Sequence, residues 1–201
     1  MNTYIHRAEK IITRINELAA ISEDHSCVTR RYGTPAFIEG SKKVLSWMNE
    51  AGLQTHVDNI GNVRGKLISK KPGAKTFVIA SHIDTVVNAG KFDGPLGLIM
   101  GIDLVENIQT TDLPFSIEII AFSDEEGVRF HTTFLGSNVV TGNFDTTLLD
   151  KKDANGISLS EVIVTNGGDP AKLWQDAIVK ENWLGYYEMH IEQGPVLYEK
   201  N

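Results

Sequence analysis

Residues 115–127 read FSIEIIAFSDEEG. An almost unbroken apolar run of strand length is followed at once by three consecutive acids, Asp124, Glu125 and Glu126. Short, continuous apolar runs of this kind mark strands buried on both faces, and such strands belong to sheets covered by helices. A second run, TFVIAS at 76–81, leads into His82-Ile83-Asp84-Thr85. Between the two lies GPLGLIMGIDLVENI, which reads as a helix with Pro95 in its first turn. Buried strands alternating with helices give the expected fold class: α/β, with a mixed, largely parallel sheet flanked by helices.

The flanking segments fit that frame. Ile5, Ala8, Ile12, Ile15 and Ala19 recur at helical steps, with Ile11 and Leu18 beside them, and Arg7, Glu9, Arg14 and Glu17 fall on the expected wet face. SEDHSCVTRRYGT, residues 22–34, is a polar loop long enough to suggest a task of its own. A second helix opens at Pro35 and ends at Gly52, burying Phe37, Ile38, Val44, Leu45, Met48 and Ala51. LQTHVD and VRGKLIS read as two strands across the turn DNIGN, and YYEMHIEQG as a late strand.

Bulk composition excludes several function classes. The chain has 201 residues and a net charge of −7, with no Lys/Arg block, which argues against a nucleic-acid partner. One cysteine, Cys27, excludes a disulfide framework and suits a buried small side chain in a reducing compartment. The N-terminal stretch is charged and has no apolar core, so it does not read as a signal peptide. No apolar run approaches the length of a membrane span. These features point to a cytoplasmic protein with no membrane association.

In an α/β sheet, ligands bind beyond the carboxyl ends of the strands. Here those ends bring Ser81-His82-Ile83-Asp84, Lys91-Phe92-Asp93-Gly94, Ser123 to Gly127, and His190 with Glu192 and Gln193. Taken singly, each has a plain reading: a loop histidine with a capping aspartate, a turn dipeptide, acids at a helix start, a core histidine. Together, two imidazoles and several carboxylates suit Zn²⁺ or Mn²⁺. Asp84, two residues from His82, suits the acceptor that fixes a ligating ring. Of two neighbouring glutamates, one can bind metal while the other handles a proton. Gly-x-Ser-x-Gly, phosphate-loop and dinucleotide-binding motifs are missing from the sequence.

As a set, SHIDT, KFDGPLG, FSDEEGVRF with FLGS, and EMHIEQGPVL resemble the N-carbamoyl-amino-acid amidohydrolases. That group includes allantoate amidohydrolase and β-ureidopropionase, within the dinuclear metallopeptidase and aminoacylase superfamily. The resemblance implies that His82, Asp93 and His190 bind one metal, that Asp93 bridges to a second held also by Glu126, and that Glu125 is the general base acting on a bridging water. It implies that Asp84 orients His82 and that Gln193 contacts a ureido substrate. The reaction implied is hydrolysis of a carbamoyl C–N bond in an N-carbamoyl amino acid or allantoate, with two Zn or Mn ions. Alternatives are an aminoacylase or peptidase of the same superfamily, and an inactive binding module. Members of the group are much longer, and their lid and dimerisation domain and last metal-binding histidine follow the matched part. Residues 1–201 are therefore expected to be the first segment of the catalytic domain, with the second metal site incomplete, activity weak or lost, and homodimerisation a property of the full-length protein.

Overall fold

The computed structural model describes residues 3–108 and 113–200. Helices α1 (Thr3–Ala19) and α2 (Pro35–Glu50) come first, followed by strands β1 (Gln54–Val57), β2 (Val63–Leu67) and β3 (Thr76–His82). Next are α3 (Pro95–Asn107), β4 (Ser116–Phe122), α4 (Leu135–Val140), α5 (Leu159–Thr165), β5 (Trp183–Tyr187) and α6 (Val196–Glu199). The sheet order is β1-β2-β4-β3-β5. β3 runs parallel to both β4 and β5, whereas β1–β2 and β2–β4 are antiparallel. The sheet is mixed, and its parallel part is the three strands that lead into the chemistry.

Every residue of β4 is buried, as a strand covered on both faces requires. Alternation sends Ile117, Ile119 and Ala121 into the larger core with α2 and α3, while Ile120 and Phe122 join Val78, Ala80 and Val140 on the opposite face. Glu118 shares that second face and is 3% exposed, so its charge needs a partner. Arg64 of β2 supplies it: Nε and Nη2 donate to Glu118 Oε1 at 2.7 and 2.6 Å.

Helix α2 begins where the sequence places it. Pro35 occupies the first turn, and Thr34 Oγ1 accepts the Phe37 N–H at 3.3 Å. It ends in paired bonds, Gly52 N–H to Asn49 O and Leu53 N–H to Met48 O, the Schellman pattern. Trp47 is buried beside the expected Phe37, Val44 and Met48.

Helix α1 is present, but its faces are turned from the expected ones. Ile5 and Ile12 are exposed, while Arg14 is buried with Ile15 and Leu18. The cause is α3: Arg7 reaches Asp103 and Arg14 reaches Glu106 at 2.7 Å, with the Arg14 guanidinium over the Trp47 ring. Acids on the facing helix make cations the right inward residues, which periodicity of apolar side chains does not register. Cys27 is half-buried, not enclosed, with Sγ 3.7 Å from Thr29 Oγ1. Among the described residues no helix is long and apolar enough to cross a membrane.

Candidate active site

Because β3, β4 and β5 are parallel, their carboxyl ends share one edge of the sheet. His82 is the last residue of β3, and Asp124, Glu125 and Glu126 follow β4. His190 lies beyond β5, which stops at Tyr187; the expected strand does not extend to it. Asp93 precedes α3. The four segments meet in two overlapping groups, His82–Asp93–His190 and His82–Glu125–Glu126, each with ligand atoms within 4.8 Å of one another.

Glycines permit the approach. Gly94, at φ +82°, sits where a Cβ would come within 2.5 Å of the His82 carbonyl and 2.7 Å of its ring. At Gly97 a Cβ would lie 1.9 Å from the Met189 carbonyl, so the bare helix surface is what lets the His190 segment pack on α3.

The tautomers of the two imidazoles follow from their neighbours. His82 Nδ1 lies 3.0 Å from the Asp84 backbone carbonyl, and His190 Nδ1 lies 3.0 Å from the Ile191 carbonyl. A carbonyl only accepts, so each Nδ1 carries the proton. In the neutral rings both Nε2 atoms then present lone pairs, yet they face each other at 3.2 Å. Asp93 Oδ1, buried and without a hydrogen-bond partner among the described residues, lies 3.3 Å from His190 Nε2 and 3.9 Å from His82 Nε2. Two lone pairs and a bare carboxylate oxygen repel unless a proton or a metal cation lies among them. Ligands at 2.0–2.1 Å around a tetrahedral ion stand roughly 3.3 Å apart. The residues present therefore fit a divalent metal ion.

The acids are not equivalent. Asp124 is buried in the left-handed region at φ +49°, and burial, reinforced by Asp84, raises its carboxyl well above the usual range. Its loop is laced to the FLGS stretch: Ser123, Asp124 and Glu125 carbonyls accept the N–H groups of Gly136, Leu135 and Phe134. Glu125 Oε2 stands 4.0 Å from His82 Nε2. Burial raises the Glu125 carboxyl, with Asp84 and Glu188 acting in the same direction and His82 opposing. Burial likewise raises Glu126, whose Oε1 has no partner among the described residues.

Asp84 holds His82, but through its backbone carbonyl; its carboxylate stands 3.8 Å from the ring nitrogen. The carboxylate instead accepts the N–H groups of Glu125 and Glu126. Gln193, expected at a substrate, donates Nε2–H to Asp93 Oδ2 at 2.8 Å. His6, His25, His56 and His131 are exposed and stand outside both groups. Sequence reading missed Asn62, whose Oδ1 accepts the Ser123 N–H at 2.9 Å and whose Nδ2 donates to Asp58 and the Gly136 carbonyl. Its position in the turn DNIGN offered only a loop signal.

Comparison with known proteins agrees with the fold. The chain is 37% identical to an allantoate deiminase of Arabidopsis thaliana, over 96% of this chain and 38% of that protein. It is 38% identical to an N-carbamoyl-L-amino acid amidohydrolase of Geobacillus stearothermophilus, over 96% of this chain and 48% of the other. The crystal structure of a hydantoinase/carbamoylase family amidase from Burkholderia ambifaria superposes with a TM-score of 0.84 at 30% identity, covering 96% of this chain and 47% of that one. The chain thus spans less than half the length of each. The sequence profile of Peptidase family M20/M25/M40 matches residues 78–201, more than half of the chain and every residue of the two donor groups. With the profile matching more than half of its length, the chain belongs to Peptidase family M20/M25/M40.

Proposed function

We propose that this chain carries the metal-binding part of a hydrolase that cleaves carbamoyl C–N bonds in N-carbamoyl amino acids or allantoate. The observation that carries the reading is the pair of Nε2 lone pairs converging with the unpartnered Asp93 oxygen, in a chain whose relatives are named as an allantoate deiminase and an N-carbamoyl-L-amino acid amidohydrolase. His82, Asp93 and His190 would hold one divalent ion, and Glu126 would contribute to a second; Zn²⁺ and Mn²⁺ both suit such donors. Ions bound there supply Lewis-acid polarisation of a carbonyl oxygen and a lowered water pKa.

The remaining chemistry belongs to side chains. Glu125, with its raised carboxyl pKa, takes a proton from water at Oε2 as the water oxygen bonds to the carbamoyl carbon. One C–N bond breaks, Glu125 returns the proton to the leaving nitrogen, and the carbamic acid left behind loses carbon dioxide as its remaining C–N bond breaks and its own proton passes to the second nitrogen. The products are ammonia, carbon dioxide and the amine or amino acid. Gln193, freed from Asp93, offers an amide to the ureido group.

The test is ammonia release with Mn²⁺ or Zn²⁺ present. Any turnover that this chain retains is expected on N-carbamoyl amino acids or allantoate and not on N-acetyl amino acids, and Glu125→Gln lowers it by about 100-fold or more. Turnover confined to N-acetyl substrates contradicts the reading in favour of an aminoacylase.

A further inference from the structure

The polar loop at 22–34 contains the largest fully buried side chain outside the donor groups, Arg30, at 0% exposure. Among the described residues its guanidinium makes no ion pair, although the Asp84 charge acts on it through space. Nε donates to the Ile83 carbonyl at 2.7 Å, and Nη1 donates to the Leu18 and Ile21 carbonyls at 2.8 and 2.9 Å. Its backbone N–H donates to Thr85 Oγ1 at 2.8 Å, and its carbonyl accepts the Thr85 N–H at 3.1 Å. One residue thereby grips both chain neighbours of Asp84. The grip continues along the loop, with Thr29 Oγ1 accepting the Asn88 N–H and Val28 O accepting the Ala89 N–H. Room for the arginine is built into α2: a Cβ at Gly40 would come within 2.9 Å of Arg30 Cδ.

Burying a guanidinium among carbonyls is costly, and a packed apolar side chain would fill the same space at less cost. What an apolar side chain lacks is the set of directed donors. Ile83 and Thr85 fix the backbone of Asp84, whose carbonyl sets the His82 ring and whose carboxylate seats the Glu125 and Glu126 amides. We propose that Arg30 is a positioning residue for the metal and base groups, holding the Asp84 turn from beneath through Ile83 and Thr85. The inference deepens the reading of the site as a metal-dependent hydrolase, while its geometric part concerns the metal-free chain.

Hydrogen–deuterium exchange on the metal-free protein tests it, with Arg30→Lys and Thr85→Val. Thr85→Val keeps the volume and removes only hydroxyl bonds, so it serves where Arg30→Lys unfolds. In either variant, exchange at Glu125 and Glu126 is expected to rise about tenfold while the β4 amides keep their protection. Zn²⁺ affinity measured on the same samples is expected to fall about tenfold or more. Unchanged exchange at 125–126 in the folded variants, or an equal rise throughout β4, overturns the proposal. If the wild type binds no metal, the hydrolase reading fails, and exchange alone still decides the role of Arg30.

Discussion

Asp84 Oδ2 accepts the backbone N–H of Glu126 at 3.0 Å, and Oδ1 accepts that of Glu125 at 3.1 Å. The residue that holds the His82 ring through its carbonyl therefore also seats the two glutamates through its carboxylate. Asp84→Asn retains the size and the carbonyl contact but turns an NH₂ toward one of the two amides. Metal affinity measured by titration calorimetry is expected to fall about 10–100-fold, as for other outer-shell partners of metal ligands. An unchanged affinity contradicts this role.

Gly97 gives a substitution that general helix propensity gets wrong. Replacing a glycine within a helix by alanine ordinarily stabilises, by up to about 1 kcal/mol. Here the new Cβ falls 1.9 Å from the Met189 carbonyl, so the His190 segment must shift. Gly97→Ala is expected to keep the helical circular dichroism and to lose at least tenfold in metal affinity, as a displaced ligand requires.

The Arg64–Glu118 pair crosses from β2 to β4 with both side chains buried. Removing Glu118 leaves Arg64 buried with only the more distant Asp58 carboxylate, 3.9 Å away, as counter-charge. Glu118→Leu is expected to cost about 3–5 kcal/mol in urea unfolding, and adding Arg64→Met should recover most of it. Equal destabilisation by the single and double variants contradicts the pairing argument.

Asp58 gives stability a pH dependence away from the metal groups. Burial pushes its carboxyl up to about 7, with the Asn62 hydrogen bond opposing and Asp176 adding to the rise. A raised pKa means that the folded state holds the proton more tightly than the unfolded chain. The stabilisation is complete below about pH 4 and lost as pH climbs through about 7. Between pH 6 and pH 8 the unfolding free energy should drop by about 1 kcal/mol from this group. Asp58→Asn should flatten that change in urea titrations; an identical slope in the variant excludes Asp58 as its source.

Much of the fold was legible because burial on two faces writes itself as uninterrupted apolar sequence. TFVIAS and FSIEIIAF are β3 and β4, and the residues just past them are the donors. What was hidden depended on a partner far along the chain. Arg14 looks wet until Glu106 and Trp47 face it, and Glu118 looks misplaced until Arg64 crosses to it. The 3₁₀ turns at Thr146–Asp150 and Pro170–Asp176 are too short to show a periodicity in the sequence. At the site, residue types signalled a metal, whereas the use of each oxygen did not follow from spacing. That Asp84 gives His82 its carbonyl and the glutamates its carboxylate, and that Gln193 leans on Asp93, are facts of backbone geometry.

The central claim is that His82, Asp93 and His190 enclose a divalent cation. Calorimetric titration of the chain with Zn²⁺, run beside His82→Ala, tests it most directly. The account predicts saturable binding at micromolar or lower metal, weakened at least tenfold in the variant because His82 belongs to both donor groups. No binding at micromolar excess, or equal affinity in His82→Ala, contradicts it.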